Sequence, residues 1–140
     1  MTAEAPTTVV QGLLDTSVVI ALEQIPAGSL PLEPAIAAVS LAELAAGPHA
    51  TDDPEERARR QDRLQRIEAL LDPLPFDAAA ARAYGLIYAA THARERKPRG
   101  SRAVDLLIAA TALANDIPLF TRNPHDFDHL GAVGLEIRTV

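Results

Sequence analysis

The sequence predicts an α/β domain organised around a parallel sheet, and three observations carry that expectation. Short apolar segments are each followed by a helical run or a polar turn: Val9 to Leu14 ahead of V-V-I-A-L-E-Q, Ala35 to Val39 ahead of S-L-A-E-L-A-A-G, and I-P-L-F-T ahead of R-N-P-H-D-F. Brief, bounded apolar runs of this kind are the pattern of strands covered on both faces. Arg102 to Ala114 is an Ala- and Leu-rich stretch of the sort that makes a buried helix. The chain of 140 residues is long enough for a real hydrophobic core and fits one domain, residues 1–140, without staples.

Composition narrows the setting. There is no cysteine, which fits a reducing cytoplasm and excludes thiol catalysis, zinc–thiolate sites and iron–sulfur clusters. The start, M-T-A-E-A-P-T-T, lacks the basic and apolar regions of a signal peptide, and no apolar run approaches membrane-spanning length, so a soluble intracellular protein is expected. A net charge of -6 argues against a broad electrostatic nucleic-acid binder. It leaves a metal-dependent nuclease open, because clustered carboxylates are part of the acidic count.

Taken in order, Val9 to Leu14 reads as a short buried strand and D-T-S opens the following helix. Asp15 thus stands at the carboxyl end of the first strand, the edge at which open α/β sheets bind ligands. The competing reading is that Asp15, Thr16 or Ser17 only caps the helix, although a cap needs one such residue, not three in a row. Ser40 and Glu43 have the spacing of a capping box with Ser40 as N-cap. That role is compatible with a site, since the first turn after a strand lies at the same edge as Asp15. Gly47-Pro48 ends this helix.

Thr51 to Leu71 reads as a solvated helix packed by its carboxy-terminal half. Leu64, Ile67 and Leu71 share a face, and Glu56/Arg60 and Asp62/Arg66 form i,i+4 pairs. Its arginines read as a charge-laced exposed face in preference to an RNA contact. Asp72-Pro-Leu-Pro-Phe fits a short strand near an edge. Asp77 then caps a helix carrying Tyr84, Ile87, Tyr88 and Thr91 along one side, the tyrosines as core or interface. Gly85 costs such a helix about 1 kcal/mol relative to Ala, which implies a close helix contact.

Arg94 to Arg102, R-E-R-K-P-R-G-S-R, is the clearly basic segment, a loop broken by Pro98 and Gly100 that either holds phosphates or is merely solvated. It feeds into the apolar run holding Asp105. An unpartnered buried carboxylate costs several kcal/mol, so Asp105 needs a cation, a set of donors or the rim of a cleft. Arg102, one turn back, is the purely structural partner; a functional cleft is the alternative. Beyond I-P-L-F-T, the residues Thr121, Arg122, Asn123 and Asp126 follow a strand end as Asp15 does. His125 and His129 have metal-ligand spacing if that turn is helical, but His49 and His92 are not in matching contexts and zinc is not expected. G-L-E-I-R-T-V alternates and reads as an edge strand.

Asp15, Glu43, Asp105 and Asp126 therefore have claims on one sheet edge. Two carboxylates about 5 Å apart repel by roughly 3 kcal/mol at an effective dielectric of about 20, so such a cluster takes up protons or binds cations. Oxygen donors without soft ligands favour Mg²⁺ or Mn²⁺. These ions suit phosphate substrates and support phosphodiester hydrolysis by metal-activated water.

Four segments in this order, L-L-D-T-S, S-L-A-E-L, R-A-V-D-L-L-I-A-A-T-A and T-R-N-P-H-D-F, resemble the motifs of PIN-domain ribonucleases, particularly VapC-type toxins of type II toxin–antitoxin systems. The match runs from about Gly12 to Phe127. Each motif alone is weak; four in order are specific. The resemblance implies a three-layer α/β/α sandwich with a central parallel sheet and an acidic quartet of Asp15, Glu43, Asp105 and Asp126. In it Asp15 and Asp105 match the usual metal ligands, and Glu43 and Asp126 complete the site directly or through water. Thr16, Thr121 and Asn123 match positions that orient these acids or the substrate. It further implies Mg²⁺-dependent endonucleolytic cleavage of RNA, a cognate VapB-type antitoxin, and a homodimer.

Two other readings remain. One is a non-catalytic PIN-like module that holds RNA or a protein partner, which the intact quartet disfavours. The other is a phosphotransferase with Asp15 as nucleophile, against which stands Ser17 where a second acid would be needed.

Overall fold

Residues 9–94 and 101–140 are described by a computed structural model. The amino-terminal stretch 1–8, on which the absence of a leader was read, and residues 95–100 of the basic segment lie outside the described residues.

Leu13-Leu14 and Leu119-Phe120 are adjacent apolar pairs, and in an extended chain neighbours point to opposite faces. Each pair therefore needs cover on both sides, and both receive it. The strands β1 (Gln11–Leu14), β2 (Glu33–Ala37), β3 (Pro73–Leu74), β4 (Leu119–Thr121) and β5 (Ile137–Thr139) form one five-stranded sheet in the order β3-β2-β1-β4-β5, with every pairing parallel. Leu13, Ala37 and Leu119 face a core built from α4 (Ala78–Ala93) and α5 (Ser101–Ala114), including Ala83, Ile87, Leu106 and Ile108. Leu14, Ile36 and Phe120 face the other core, with Val18 and Val19 of α1 (Thr16–Ile20), Leu44 of α2 (Ala38–Ala46) and Ile67 of α3 (Pro54–Leu70). The result is the three-layer sandwich. Among the described residues no helix is long and apolar enough to cross a membrane.

The strand order places the site. The chain lays β2 and β3 on one side of β1, then returns to lay β4 and β5 on the other, so the order reverses between β1 and β4. Ligands of open α/β sheets bind in the crevice beyond the carboxyl ends of the strands at that reversal. Leu14 pairs with Phe120, and the Asp15 N–H donates to the Phe120 carbonyl at 3.0 Å, so Asp15 and Thr121 leave the sheet side by side.

Local expectations fared unevenly. As expected, Asp77 caps α4 by accepting from Ala80 N; the structure also shows Asp53 capping α3 by accepting from Glu55 N. The Glu56/Arg60 and Asp62/Arg66 pairs form, Ile67 is buried, and β3 and β5 are the sheet edges. The capping box does not form: α2 starts at Ala38, with Ala37 as an N-cap that makes no side-chain bond, and Ser40 is buried inside the first turn. Gly85 is exposed, and a methyl group there would meet nothing within 4 Å, so the expected close helix contact is absent. Nothing in the structure explains this glycine.

Gly12 does have a reason. A methyl group on it would lie 2.4 Å from Cε1 of the buried Phe120 ring, its diagonal neighbour on the same sheet face, and 3.0 Å from Pro31 Cγ. Overpacked core positions cost about 1–3 kcal/mol. Gly12→Ala is accordingly expected to lower unfolding free energy by that amount in urea titrations. An unchanged midpoint would mean that the Phe120 face is loosely packed.

Candidate active site

A carboxylate at the end of a central strand has no room for water on most sides, so the protein itself must supply donors. Asp15 is 4% exposed. Its Oδ1 accepts from Ser17 Oγ at 2.6 Å and from Val18 N at 3.0 Å, and its Oδ2 accepts from Thr121 Oγ1 at 2.5 Å. The two hydroxyls are themselves held from β4 and the turn after it. The Arg122 N–H donates to Ser17 Oγ at 3.3 Å, and the Asn123 N–H donates to Thr121 Oγ1 at 3.0 Å. Asp15 is thus both helix cap and the anchor of a hydroxyl relay joining β1 to β4. An ionised carboxylate offers about four lone-pair positions. Three are used, and one remains.

Glu43 reaches this edge from α2, and Thr16 Oγ1 donates to its Oε1 at 2.6 Å. The same Thr16 oxygen stands 3.3 Å from the buried Ser40 hydroxyl. Asp126 ends the 3₁₀ turn Pro124–Asp126 that follows β4. Asp105 sits in the second turn of α5, half-buried, and accepts no hydrogen bond among the described residues.

The electrostatics join the four. Burial, followed by the negative charges of Asp126, Asp15 and Glu43, pushes the Asp105 carboxyl up to about 6, with Arg102 opposing only weakly. Arg102 forms no ion pair with Asp105, and its Nη1 is buried without a hydrogen-bond partner among the described residues. The purely structural pairing expected from one helical turn of separation is therefore absent. None of the four acids bonds to a cationic side chain among the described residues.

As the side chains stand, no three His, Cys, Asp or Glu among the described residues are drawn together tightly enough to grip an ion. They are nevertheless close enough to govern the ionisation of Asp105, and the donor set is wholly oxygen. That chemistry fits a hard divalent cation, and the Ser17, Thr121 and backbone donors on Asp15 are of the kind that orient a carboxylate toward one. His125 is exposed near Asp128, and His129 is buried with Nε2 2.8 Å from Thr91 Oγ1.

Of the residues singled out from sequence, Thr121 orients Asp15, Thr16 orients Glu43, and Asn123 acts through its backbone N–H. Sequence reasoning passed over Ser17 and Ser40 as partners. Ser17 was legible in D-T-S, where a hydroxyl two residues after an N-cap Asp can return to its carboxylate. Ser40 was hidden by its likeness to a capping box.

Two outcomes follow from this geometry. Thr121→Val removes a donor from a buried carboxylate and is expected to cost about 1.5–3 kcal/mol in urea unfolding, with Thr121→Ser losing less. Asp105 binds its proton more tightly folded than unfolded, so its ionisation opposes folding: the penalty is absent below pH 4, grows between about 4 and 6, and is fully present above. Discounted for solvent screening of a half-exposed group, it amounts to roughly 1 kcal/mol. In chelator, Asp105→Asn is therefore expected to raise Tm by about 3 °C at pH 7.5 and to lose that gain at pH 4. A gain independent of pH would remove the electrostatic explanation.

The same architecture occurs in known proteins. The model of the PIN domain matches residues 12–133. Ribonuclease VapC5 of Mycobacterium tuberculosis is 38% identical over 135 residues, covering 94% of this chain and 96% of that protein. The crystal structure of VapBC-5 from Mycobacterium tuberculosis, a member of the VapBC family of toxin–antitoxin systems, superposes with a TM-score of 0.82 at 35% identity, covering 94% of this chain and 99% of that one. VapBC2 from Rickettsia felis, solved bound to a promoter DNA fragment, shares the fold with a TM-score of 0.76 at 21% identity, over 94% of this chain and 99% of its own. With both its sequence and its fold matched over nearly their whole length, the chain belongs to the PIN-domain family.

Proposed function

We propose that this chain is a metal-dependent endoribonuclease serving as the toxin of a type II toxin–antitoxin pair and restrained by a VapB-type antitoxin. Asp105 carries the reading. It is a half-buried carboxyl with no described donor, pushed up to about 6 by burial and by three further acids from separate elements. A purely structural acid is satisfied by donors or a cation, as Asp15 is by donors; Asp105 is left for something that binds.

Bound Mg²⁺ or Mn²⁺ would neutralise charge at the phosphate and make a nearby water more acidic. Asp15 and Asp105 are the residues to hold it. Asp15 brings a carboxylate fixed in direction by three donors, and Asp105 brings one that accepts no hydrogen bond among the described residues. Glu43, aimed by Thr16, and Asp126 complete the acidic ring directly or through water. Thr121, and Asn123 through its backbone, keep Asp15 from turning away from the cleft. The relatives named as a ribonuclease and as toxin–antitoxin complexes support RNA as substrate and an antitoxin as partner. Leu86 and Tyr88, exposed on α4, support a homodimer, and a chain without cysteine suits the cytoplasm.

Purified antitoxin-free protein is expected to cut single-stranded RNA in Mg²⁺ or Mn²⁺, with Asp15→Ala and Asp105→Asn each slower by about 100-fold or more. Mapping RNA ends by sequencing checks this. Equal cleavage in excess chelator would sink the metal-dependent reading, and RNA binding without cleavage would leave a binding module.

A further inference from the structure

RNA entering an acidic cleft brings one negative charge per nucleotide, and a divalent ion answers only the charge at the bond being cut. The neighbouring phosphates need cations that the acids do not already hold, and a chain of net charge -6 supplies no general attraction. The α3 arginines are the place to look. Arg57 donates to Pro48 O and Thr51 O, Arg59 and Arg60 pair with Glu56, Arg60 also donates to Gly47 O, and Arg66 pairs with Glu23 and Asp62. Arg63 is half-buried and, among the described residues, makes no hydrogen bond or ion pair.

Arg63 also lines an open cavity of about 400 Å³ shared with Thr16, Glu43, Ile20 and Arg60. The cavity therefore begins at Thr16 and Glu43, on one side of the acidic site, and ends at a guanidinium with no partner among the described residues. Glu56 lies there too, but the Arg59 and Arg60 guanidiniums hold its carboxyl below the usual range, so it is already answered. Ile20, 52% exposed, offers an apolar surface against which a sugar or base can rest.

We propose that Arg63 is a subsite for an RNA backbone phosphate next to the one cleaved. The proposal rests on the nuclease reading and adds which face of the cleft the strand follows: past Glu43, between α1 and α3. RNA is favoured over an acidic protein segment because Glu43, one of the four site acids, lines the cavity, and a strand positioned for cleavage must extend past it. A planar, always-charged guanidinium with free donors matches a phosphate's oxygens.

The test uses full-length protein carrying Asp105→Asn to prevent cleavage, and a fluorescein-labelled 12-mer of uridine, titrated between 50 and 200 mM KCl. One lost phosphate contact lowers the slope of log affinity against log salt by about 0.7 for single strands. Arg63→Ala is expected to show that smaller slope and affinity weaker by about 3- to 10-fold, while Arg63→Lys keeps the slope and Arg59→Ala changes neither. In the cleaving background, Arg63→Ala is expected to raise KM by a similar factor with kcat retained. An unchanged slope in Arg63→Ala overturns the subsite while leaving the nuclease reading intact. Weakened capture of an antitoxin with RNA binding unchanged likewise overturns it, marking the face as a protein contact. If the protein without Arg63 substitutions binds no RNA and the wild type cuts none, the nuclease reading fails and the subsite with it.

Discussion

Asp15 places a carboxyl group, buried and fixed in direction, at the end of a central strand, and the way the fold satisfies it sets the positions of most other site residues. Water is nearly excluded, so three donors replace it: one from the helix the residue caps, one from the hydroxyl two residues on, and one from Thr121 at the end of the adjacent strand. The third exists only because β1 and β4 are neighbours with Leu14 opposite Phe120. Pinning the carboxylate thus depends on the reversal of strand order, and the same reversal opens the crevice in which an ion and a phosphate are proposed to sit. The turn after β4 then reinforces both hydroxyls through the Arg122 and Asn123 N–H groups.

Around that fixed point the other acids come from elements whose placement is decided by apolar packing. Asp105 is carried by a helix whose Leu106, Ile108, Ala109 and Ala110 are fully buried against the sheet, so it cannot retreat from its neighbours. Glu43 comes from a helix anchored by Leu44 in the opposite core, and Asp126 from the turn closed by the buried Phe127. Two hydrophobic cores on opposite faces of one sheet thus press like charges toward one edge. The resulting cost is the physical opening for a cation: an acid that binds its proton too readily near pH 6 is one that a divalent ion, outcompeting the proton at pH 7, can relieve.

Much of this was legible in the sequence, because the features that decide it are local. Leu13-Leu14 and Leu119-Phe120 announce strands buried on both sides, Asp77 announces a helix start, and an acid amid R-A-V-D-L-L-I-A-A is conspicuous in any reading. What escaped depends on long-range pairing or on missing punctuation. The Thr121–Asp15 bond spans 106 positions and exists only after the strand order is known. The start of α2 lies within A-I-A-A-V-S, which has no capping side chain, so Ser40 and Glu43 imitated a box while their side chains served Thr16. Arg102 stands at helical spacing from Asp105, yet spacing alone says nothing of side-chain direction, and the pair does not form.

The carboxylates of Asp15 and Asp105, separated by 90 positions in the chain, are proposed to serve one divalent ion. Direct titration of chelator-treated protein with Mn²⁺, followed by water-proton relaxation and calorimetry, tests it without involving RNA. Wild type is expected to bind Mn²⁺ with a rise in Tm, and Asp15→Asn and Asp105→Asn are each expected to lose binding by 10-fold or more while remaining folded. Mn²⁺ binding of undiminished strength in both variants would mean that these two carboxylates do not share an ion.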